Sequence, residues 1–202
     1  MYKRQCLGRA FHISHIRAGR RRPGLQYQHL AAVRAAAAVA HADVQGAEKD
    51  SQTLVFKPGP INAGEYHFDI GTAGSTTLVL QTILPALIQA GSSSHVVLDG
   101  GTHNPLAPPF EFLDHAFLPL VNKMGPQVVA SLERRGFAPQ GGGRIEAHIK
   151  PVKQLQPIEL MQRGDIVQRR AEVILAHLPA HIAERELGVI GKRLSLSAED
   201  LH

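Results

Sequence analysis

The segment from Ile16 to Leu30, IRAGRRRPGLQYQHL, contains four arginines, a proline turn and a Gln-His pair within fifteen positions. An apolar, strand-like run precedes it and a helical pattern follows, so the arginines lie in a Gly-containing turn between a strand and a helix. Guanidinium groups bind phosphate oxygens in a bidentate manner, and the N-terminus of the next helix adds free N–H groups. We therefore predict that Arg17 and Arg20 converge on an anionic ligand.

Two further residues of this segment could share the same site. Gln28 and His29 stand at the start of the predicted helix, close to the arginine turn. Arg21 and Arg22, by contrast, are predicted to be solvated. The alternative interpretation is an exposed basic loop beside a histidine that only caps or packs, and the local pattern alone leaves it open.

A second motif, GTAGSTTLVLQTILPAL, covers Gly71 to Leu87. The N–H groups of Gly71, Gly74 and Ser75 could hold a phosphate, although the lysine of a Walker motif is missing and such glycines often serve the turn alone. Gln81 is an amide within an otherwise apolar helix. It could contact the edge of a base, or it could be a core amide whose hydrogen bonds are satisfied.

The remaining polar motifs give weaker signals. His103, in GGTHNPLAPPFEF, is a candidate acid, base or ligand, but the sequence offers it no evident carboxylate partner. The glycines of PQGGGRIEAHI lack dinucleotide-fingerprint spacing and predict a hairpin or bulge. The twelve histidines include no HExxH motif and no paired metal spacing, so no metal site is predicted.

Composition limits the classes of function. The net charge of +5 favours an anionic partner, such as nucleic acid, a nucleotide or an acidic membrane, or indicates merely a basic protein. Cys6 is the single cysteine, which excludes an intramolecular disulfide and fits a reducing compartment such as the cytoplasm. No apolar run reaches the roughly 18 residues of a membrane span, so no membrane partner is expected.

The hydrophobic pattern predicts strands alternating with helices, which is typical of a layered α/β or α+β fold. Gly19 and Pro23 align with Gly101 and Pro105 at a constant offset of 82 residues, which suggests a duplicated unit. The pattern resets over residues 151–157, a plausible linker. The predicted strands are 11–16, 53–56, 66–70, 95–98, 128–132, 144–149 and 166–175, and the predicted helices are 28–41, 78–90, 110–124 and 179–194.

Five segments in order resemble the RNA 3′-terminal phosphate cyclase family: IRAGRRRPGLQYQHLAAV, GTAGSTTLVLQTILPAL, GGTHNPLAPPFEF, GFAPQGGGRIE and GDIVQRRAEV. The resemblance implies an α+β fold of repeated β-α-β-α-β-β units with a small inserted α/β domain. On this basis residues 1–155 are expected to hold an incomplete first repeat and a second repeat. Residues 156–202 are expected to begin the inserted domain, with the third repeat absent.

The resemblance also implies a reaction, the ATP-dependent conversion of an RNA 3′-phosphate end into a 2′,3′-cyclic phosphate through enzyme–AMP and RNA–adenylate intermediates. ATP with Mg²⁺ or Mn²⁺ and RNA 3′-phosphate ends are the implied cofactors and partners. Matching residue by residue assigns phosphate contacts to Arg17 and Arg20 and a polar lining to Gln28 and His29. The adenosine pocket is assigned to Gln81, Pro108, Pro109 and Phe112.

The departures from the family pattern lead to a further expectation. The family's GEGGGQ segment, with its metal-binding glutamate, is missing ahead of Gly8, and the nucleophilic histidine belongs to the third repeat. We therefore expect this polypeptide to be an inactive fragment that forms no AMP adduct. A non-catalytic relative acting in ribosome assembly and an enolpyruvyl transferase are the alternatives, and the oligomeric state is not predicted.

Overall fold

The computed structural model describes residue 6 and residues 8–202, and the chain divides into two compact units, Met1–Ile158 and Glu159–His202. From residue 8 onward the first unit combines two β-sheets with three helical regions, so the predicted α+β class is confirmed. None of the helices in the described part of the chain has the length and hydropathy of a membrane span.

The elements of the first unit follow the predicted order closely. The strands are β1 (Phe11–Ile13), β2 (Asp43–Gln45), β3 (Leu54–Lys57), β4 (Glu65–Asp69), β5 (Ser94–Gly100), β6 (Gln127–Arg134) and β7 (Gly143–Lys150). The helices are α1 (Tyr27–Val39), α2 (Thr76–Leu87), and a third region made of α3 (Phe110–Phe112), a π-helical turn (Leu113–Phe117) and α4 (Leu118–Lys123).

The two sheets share a pattern of strand order. The smaller sheet has the order β1-β3-β2 with antiparallel pairs, and the larger has the order β4-β5-β7-β6. Within the larger sheet β7 lies between β5 and β6 and pairs antiparallel with both. In the smaller sheet β3 lies between β1 and β2 in the same way. Strand β4 adds to β5 in parallel, with α2 as the crossover.

This topology corrects one part of the predicted duplication. The strand predicted at residues 66–70 follows the helix of the first copy in the sequence, but as β4 it pairs with β5 in the larger sheet. Position for position, β2 and β3 take the places of β6 and β7. The sequence missed β2 because Asp43–Gln45 is only three residues long and has no apolar alternation to mark it.

The main core lies between the larger sheet and the helices. Alternate residues of β5 and β7 are buried against the helices, so the opposite face of this sheet stays open. The largest buried side chains of this core come from α2 and the two central strands. They include Leu80, Ile83, Leu84, Leu87, Val96, Leu98, Ile145 and Ile149.

The third helical region is not a regular α-helix, and the reason is a proline. Pro119 has no N–H to donate to the carbonyl four residues earlier, and the ladder widens just before it. The N–H of Leu118 bonds to the carbonyl of Leu113, five residues back, which is the π-helical pattern. The predicted helix 110–124 is therefore correct in extent and contains a π turn.

The second unit contains α5 (His181–Leu194) and a 3₁₀ turn (Ala198–Asp200). The strand predicted at 166–175 is wrong. Residues 159–202 contain no extended neighbour along which it could form a ladder, and only Ala171 forms an isolated parallel bridge with Leu201. An apolar pattern predicts a strand only when a partner strand is available to pair with it.

The buried face of α2 supplies a stability test. Leu80 is 0% exposed, so Leu80→Ala should lower the free energy of unfolding by about 2–5 kcal/mol, measured by urea denaturation. Leu106 is fully exposed, and Leu106→Ala should change the same quantity by less than about 0.5 kcal/mol. Equal unfolding midpoints for the two variants would contradict this placement of the core.

Candidate functional site

The arginine turn between β1 and α1 is held together by one of its own arginines. Arg17 adopts a positive φ of 54°, and its Nη1 donates to the carbonyls of Arg22 at 2.8 Å and Gly24 at 3.0 Å. The Arg17 side chain is half-buried, whereas Arg20 is exposed. Arg17 therefore closes the loop, and Arg20 is the cation that faces outward.

The structure does not bring Arg17 and Arg20 together as a convergent pair. Arg17 uses Nη1 on loop carbonyls, while the Arg20 guanidinium has no hydrogen bond or ion pair within the described residues. Arg21 and Arg22 are exposed, as predicted.

Gln28 and His29, the polar pair at the start of α1, each form a hydrogen bond within the protein. The Nδ1 of His29 accepts a hydrogen bond from the N–H of Gln26 at 3.1 Å, which caps the first turn of the helix. Burial lowers the pKa of His29 below 6.5, and the charge of Arg17 lowers it further. The His29 ring is therefore neutral and lies beside Arg17. Gln28 instead reaches the next motif, because its Oε1 accepts a hydrogen bond from the N–H of Ser75 at 3.2 Å.

In the glycine-rich turn before α2, the N–H groups of Gly71, Gly74 and Ser75 donate to oxygens of the protein. Asp69 Oδ1 accepts from the N–H of Gly71 at 2.8 Å, and Thr72 Oγ1 accepts from the N–H of Gly74 at 3.2 Å. With the Ser75 N–H taken by Gln28, this turn serves packing rather than phosphate binding. The side-chain oxygen of Ser75 then caps α2 by accepting from Leu78 N at 3.2 Å.

The glycines of the two motifs meet where α2 begins and β5 ends. The N–H of Gly101 donates to the carbonyl of Gly74 at 2.7 Å, and the N–H of Thr76 donates to the carbonyl of Gly101 at 2.8 Å. A Cβ on Gly101 would lie 2.4 Å from the carbonyl oxygen of Ala73. The backbones approach so closely that no larger residue fits at Gly101 without a shift.

A cleft between α2 and the third helical region collects three of the four residues assigned to the adenosine pocket. Gln81, Pro108 and Phe112 line it. The cleft is completed by Thr77, Leu113 and Phe117. We call it the helical cleft. Its lining is apolar apart from one amide and one hydroxyl, which suits a flat aromatic ligand.

The two polar groups of the helical cleft differ in role. Thr77 is buried, and its Oγ1 donates to the carbonyl of Pro108 at 2.8 Å, so it fastens the cleft wall to α2. Gln81 is exposed on the cleft side, which excludes the alternative of a satisfied core amide. Phe112 is 51% exposed, so the face of its ring is available. Pro109 lies outside the lining and forms the N-cap of α3.

His103 has a carboxylate partner that the sequence analysis missed. Its Nε2 lies 2.9 Å from Glu111 Oε2, and its Nδ1 lies 2.7 Å from Thr102 Oγ1. The ring also stacks on Phe137 with centroids 5.1 Å apart. Glu111 lies eight residues after His103 in the sequence, but only the folded turn between them brings its carboxylate to the imidazole ring.

A second polar network lies on the open face of the larger sheet. Arg144 forms a bidentate pair with Asp99 at 2.8 and 2.9 Å, and His67 Nε2 lies 2.6 Å from the same carboxylate. These contacts, the Arg144 hydrogen bond above all, lower the pKa of Asp99 from 3.8 to about 2. The network joins β4, β5 and β7 across their faces.

Comparison with known proteins identifies the family of the chain. The family model described as RNA 3′-terminal phosphate cyclase matches residues 5–198, nearly the whole chain. The chain belongs to the RNA 3′-terminal phosphate cyclase family. An enolpyruvyl transferase is thereby set aside.

Curated relatives bear the same name. A Koribacter versatilis RNA 3′-terminal phosphate cyclase is 52% identical over 192 residues, covering 95% of this chain and 54% of the relative. Relatives from Pseudomonas fluorescens and Ectopseudomonas mendocina are 54% and 53% identical, covering 96% and 93% of this chain and 56% and 54% of their own lengths. The chain thus spans about half the length of these cyclases.

The Asp99–Arg144 pair predicts an acid-dependent stability. Because the folded-state pKa lies below 3.8, the stabilisation is complete above pH 3.8 and is lost as the pH falls toward about 2. In Asp99→Asn the fall in stability between pH 3.8 and about pH 2 that comes from this carboxylate should disappear. The midpoint of urea unfolding, measured across that pH interval, checks this. Asp114→Asn, at a carboxylate paired only with neighbouring His115, should keep it.

The position of Arg17 against His29 can be tested by histidine NMR titration. Removing the neighbouring charge in Arg17→Gln should raise the pKa of His29 toward 6.5, and burial should keep it below that value. Arg22→Gln, at an exposed arginine, should leave the titration where it is. An unchanged His29 titration in Arg17→Gln would place the guanidinium elsewhere.

Proposed function

We propose that this chain provides the adenosine-binding part of an ATP-dependent RNA 3′-phosphate cyclase. The observation that carries the proposal is the helical cleft, in which an exposed amide, an exposed aromatic ring and a proline face one another. Membership of the cyclase family supplies the chemical context. The whole reaction is proposed for a cyclase of the length of the curated relatives, about half of which this chain spans.

The base is proposed to lie against Phe112 and Pro108, with Gln81 at its edge. An exposed aromatic face stacks on any purine, and an amide can both donate to and accept from the polar edge of adenine. Pro85 supports this assignment, because it has no N–H to offer the main-chain carbonyl of Gln81 four residues before it. Both the side chain and the main chain of Gln81 can therefore be directed at a ligand.

The phosphates are proposed to contact Arg20, with Arg17 as the residue that positions the loop. Arg20 carries an exposed guanidinium without a protein partner among the described residues, whereas Arg17 is committed to the carbonyls of Arg22 and Gly24. Gln28 and His29 are proposed to position α1 against the turn before α2 rather than to contact the nucleotide. His29 is half-buried and its Nδ1 is occupied, so the role of nucleophile is not assigned to it.

The proposed reaction has three transfers. A histidine nitrogen, assigned to no residue of this chain, bonds to the α-phosphorus of ATP as pyrophosphate leaves. An oxygen of the RNA 3′-phosphate then attacks the same α-phosphorus, and the P–N bond to the histidine breaks. The adjacent 2′-hydroxyl loses its proton and attacks the phosphorus of the RNA 3′-phosphate, and AMP leaves. Each step places charge on phosphate oxygens, so positioning by cations carries much of the catalysis.

A divalent ion, Mg²⁺ or Mn²⁺, would neutralise charge on the departing pyrophosphate. The arginine turn, residues 16–23, contains guanidinium groups and no carboxylate, so this stretch fits the phosphates rather than the ion.

ATP binding by the purified chain, measured by calorimetry, tests the proposal. Gln81→Ala should weaken ATP binding about tenfold, since one hydrogen bond is worth about 1–1.5 kcal/mol. Arg20→Ala should weaken ATP about 10- to 100-fold and leave adenosine unaffected, because adenosine has no phosphate.

The matched control is Gln89→Ala, which removes an exposed amide just beyond α2 that bonds the carbonyl of Pro85. It should leave ATP affinity unchanged. If the chain folds but its ATP affinity is the same in Gln81→Ala as in Gln89→Ala, the helical cleft is not the adenosine site. Complete absence of nucleotide binding would instead favour the non-catalytic alternative.

A further inference from the structure

The open face of the larger sheet carries a histidine–carboxylate cluster remote from the helical cleft. His95 on β5 and His148 on β7 are direct cross-strand partners, and Glu146 lies two residues before His148 on the same face. One ligand atom from each of the three side chains lies within 4.8 Å of the others. Antiparallel pairing is what brings these residues together.

The hydrogen bonding of His95 prepares one nitrogen as a ligand. Its Nδ1 lies 2.8 Å from Oε2 of Glu65 on β4, which places the ring proton on Nδ1 and a lone pair on Nε2. Histidines that bind metals are commonly oriented by such a carboxylate on the far nitrogen. The direct β4–β5 pairing of Glu65 with His95 fixes this contact.

The second ring nitrogen of His95, Nε2, is the candidate ligand atom. It is buried and makes no hydrogen bond within the described structure, although Glu146 Oε2 lies 3.4 Å away, within ion-pair distance. A lone pair facing a carboxylate is repulsive unless a cation lies between them. A second proton on His95 would also relieve this repulsion, and a Zn²⁺-binding measurement distinguishes the proton from the metal.

His148 supplies a second imidazole beside His95. The rings of His95 and His148 are stacked, with centroids 4.3 Å apart and an interplanar angle of 4°. The lone pairs of parallel rings do not converge on one point, so one ring must turn for both to bind the same ion. His148 is exposed, which leaves room for that rotation.

We propose that His95, Glu146 and His148 form a site for a divalent transition-metal ion, with Zn²⁺ as the best fit. Two imidazoles and one carboxylate suit Zn²⁺ and exclude Mg²⁺ and Ca²⁺, which prefer oxygen ligands. In a tetrahedral zinc site the donor atoms stand roughly 3.3 Å apart, so the cluster must contract slightly on binding. Three protein ligands leave a fourth position for water.

The site joins β5 to β7 on the face opposite the helices. It therefore cross-links the centre of the sheet and uses none of the residues of the helical cleft. The inference does not depend on the proposed nucleotide binding, and its failure would leave that proposal intact.

The test is Zn²⁺ binding to the untagged chain, measured by competition with a chromophoric chelator. The parent should bind one equivalent tightly, and His148→Ala and Glu146→Gln should each lose more than tenfold in affinity. Glu65→Gln, which removes the carboxylate behind His95, should lose about 10- to 100-fold. With Co²⁺ substituted, the parent should show the visible absorption of a low-symmetry site, and His148→Ala should lose it.

His12→Ala is the matched control, because His12 is an exposed histidine on β1 of the smaller sheet. It should bind Zn²⁺ as the parent does, with the same stoichiometry. If no tight equivalent is found, or if His148→Ala and Glu146→Gln bind as well as His12→Ala, the proposal is overturned and the cluster is an ion-paired imidazolium. Circular dichroism of each metal-free variant verifies that a lost site is not a lost fold.

Discussion

The close backbone approach at the junction of α2 and β5 is the constraint on which the rest of the first unit depends. Gly74 and Gly101 exchange main-chain contacts at 2.7 Å, and a Cβ on Gly101 would collide with a carbonyl. The junction sets where α2 starts, and through Thr77 and Pro108 it sets the wall of the helical cleft. The glycine turn at residues 71–75, which could be taken for a phosphate-binding loop, is explained by this packing.

Side chains of the larger sheet alternate between its two faces, so the two faces carry different groups of residues. One set of side chains packs under the helices and supports the helical cleft. The other set, on the open face, holds the Asp99–Arg144 pair and the cluster around His95. A period of two residues thus assigns neighbours in sequence to opposite faces, where they serve unrelated purposes.

The sequence predicted the elements well where a packing stripe or a proline marked them. Within residues 8–158, the helices and six of the seven strands of the first unit follow from apolar periodicity and turn residues. It failed for β2, which is too short for a pattern, and for residues 166–175, where an apolar run has no strand to pair with. Strand formation is a property of pairs, and one chain segment cannot reveal its partner.

What the sequence by itself determined is the family and the α+β class, because the order of motifs along the chain can be read without spatial information. What only the tertiary structure decided is which side chains face one another. It turned Arg17 back onto its own loop, gave His103 the carboxylate of Glu111, and brought His95 against His148 across a strand pair. The physical reason is that hydrogen bonds and ligand sets act over a few ångströms, and residues dozens of positions apart reach that range only through strand pairing and turns.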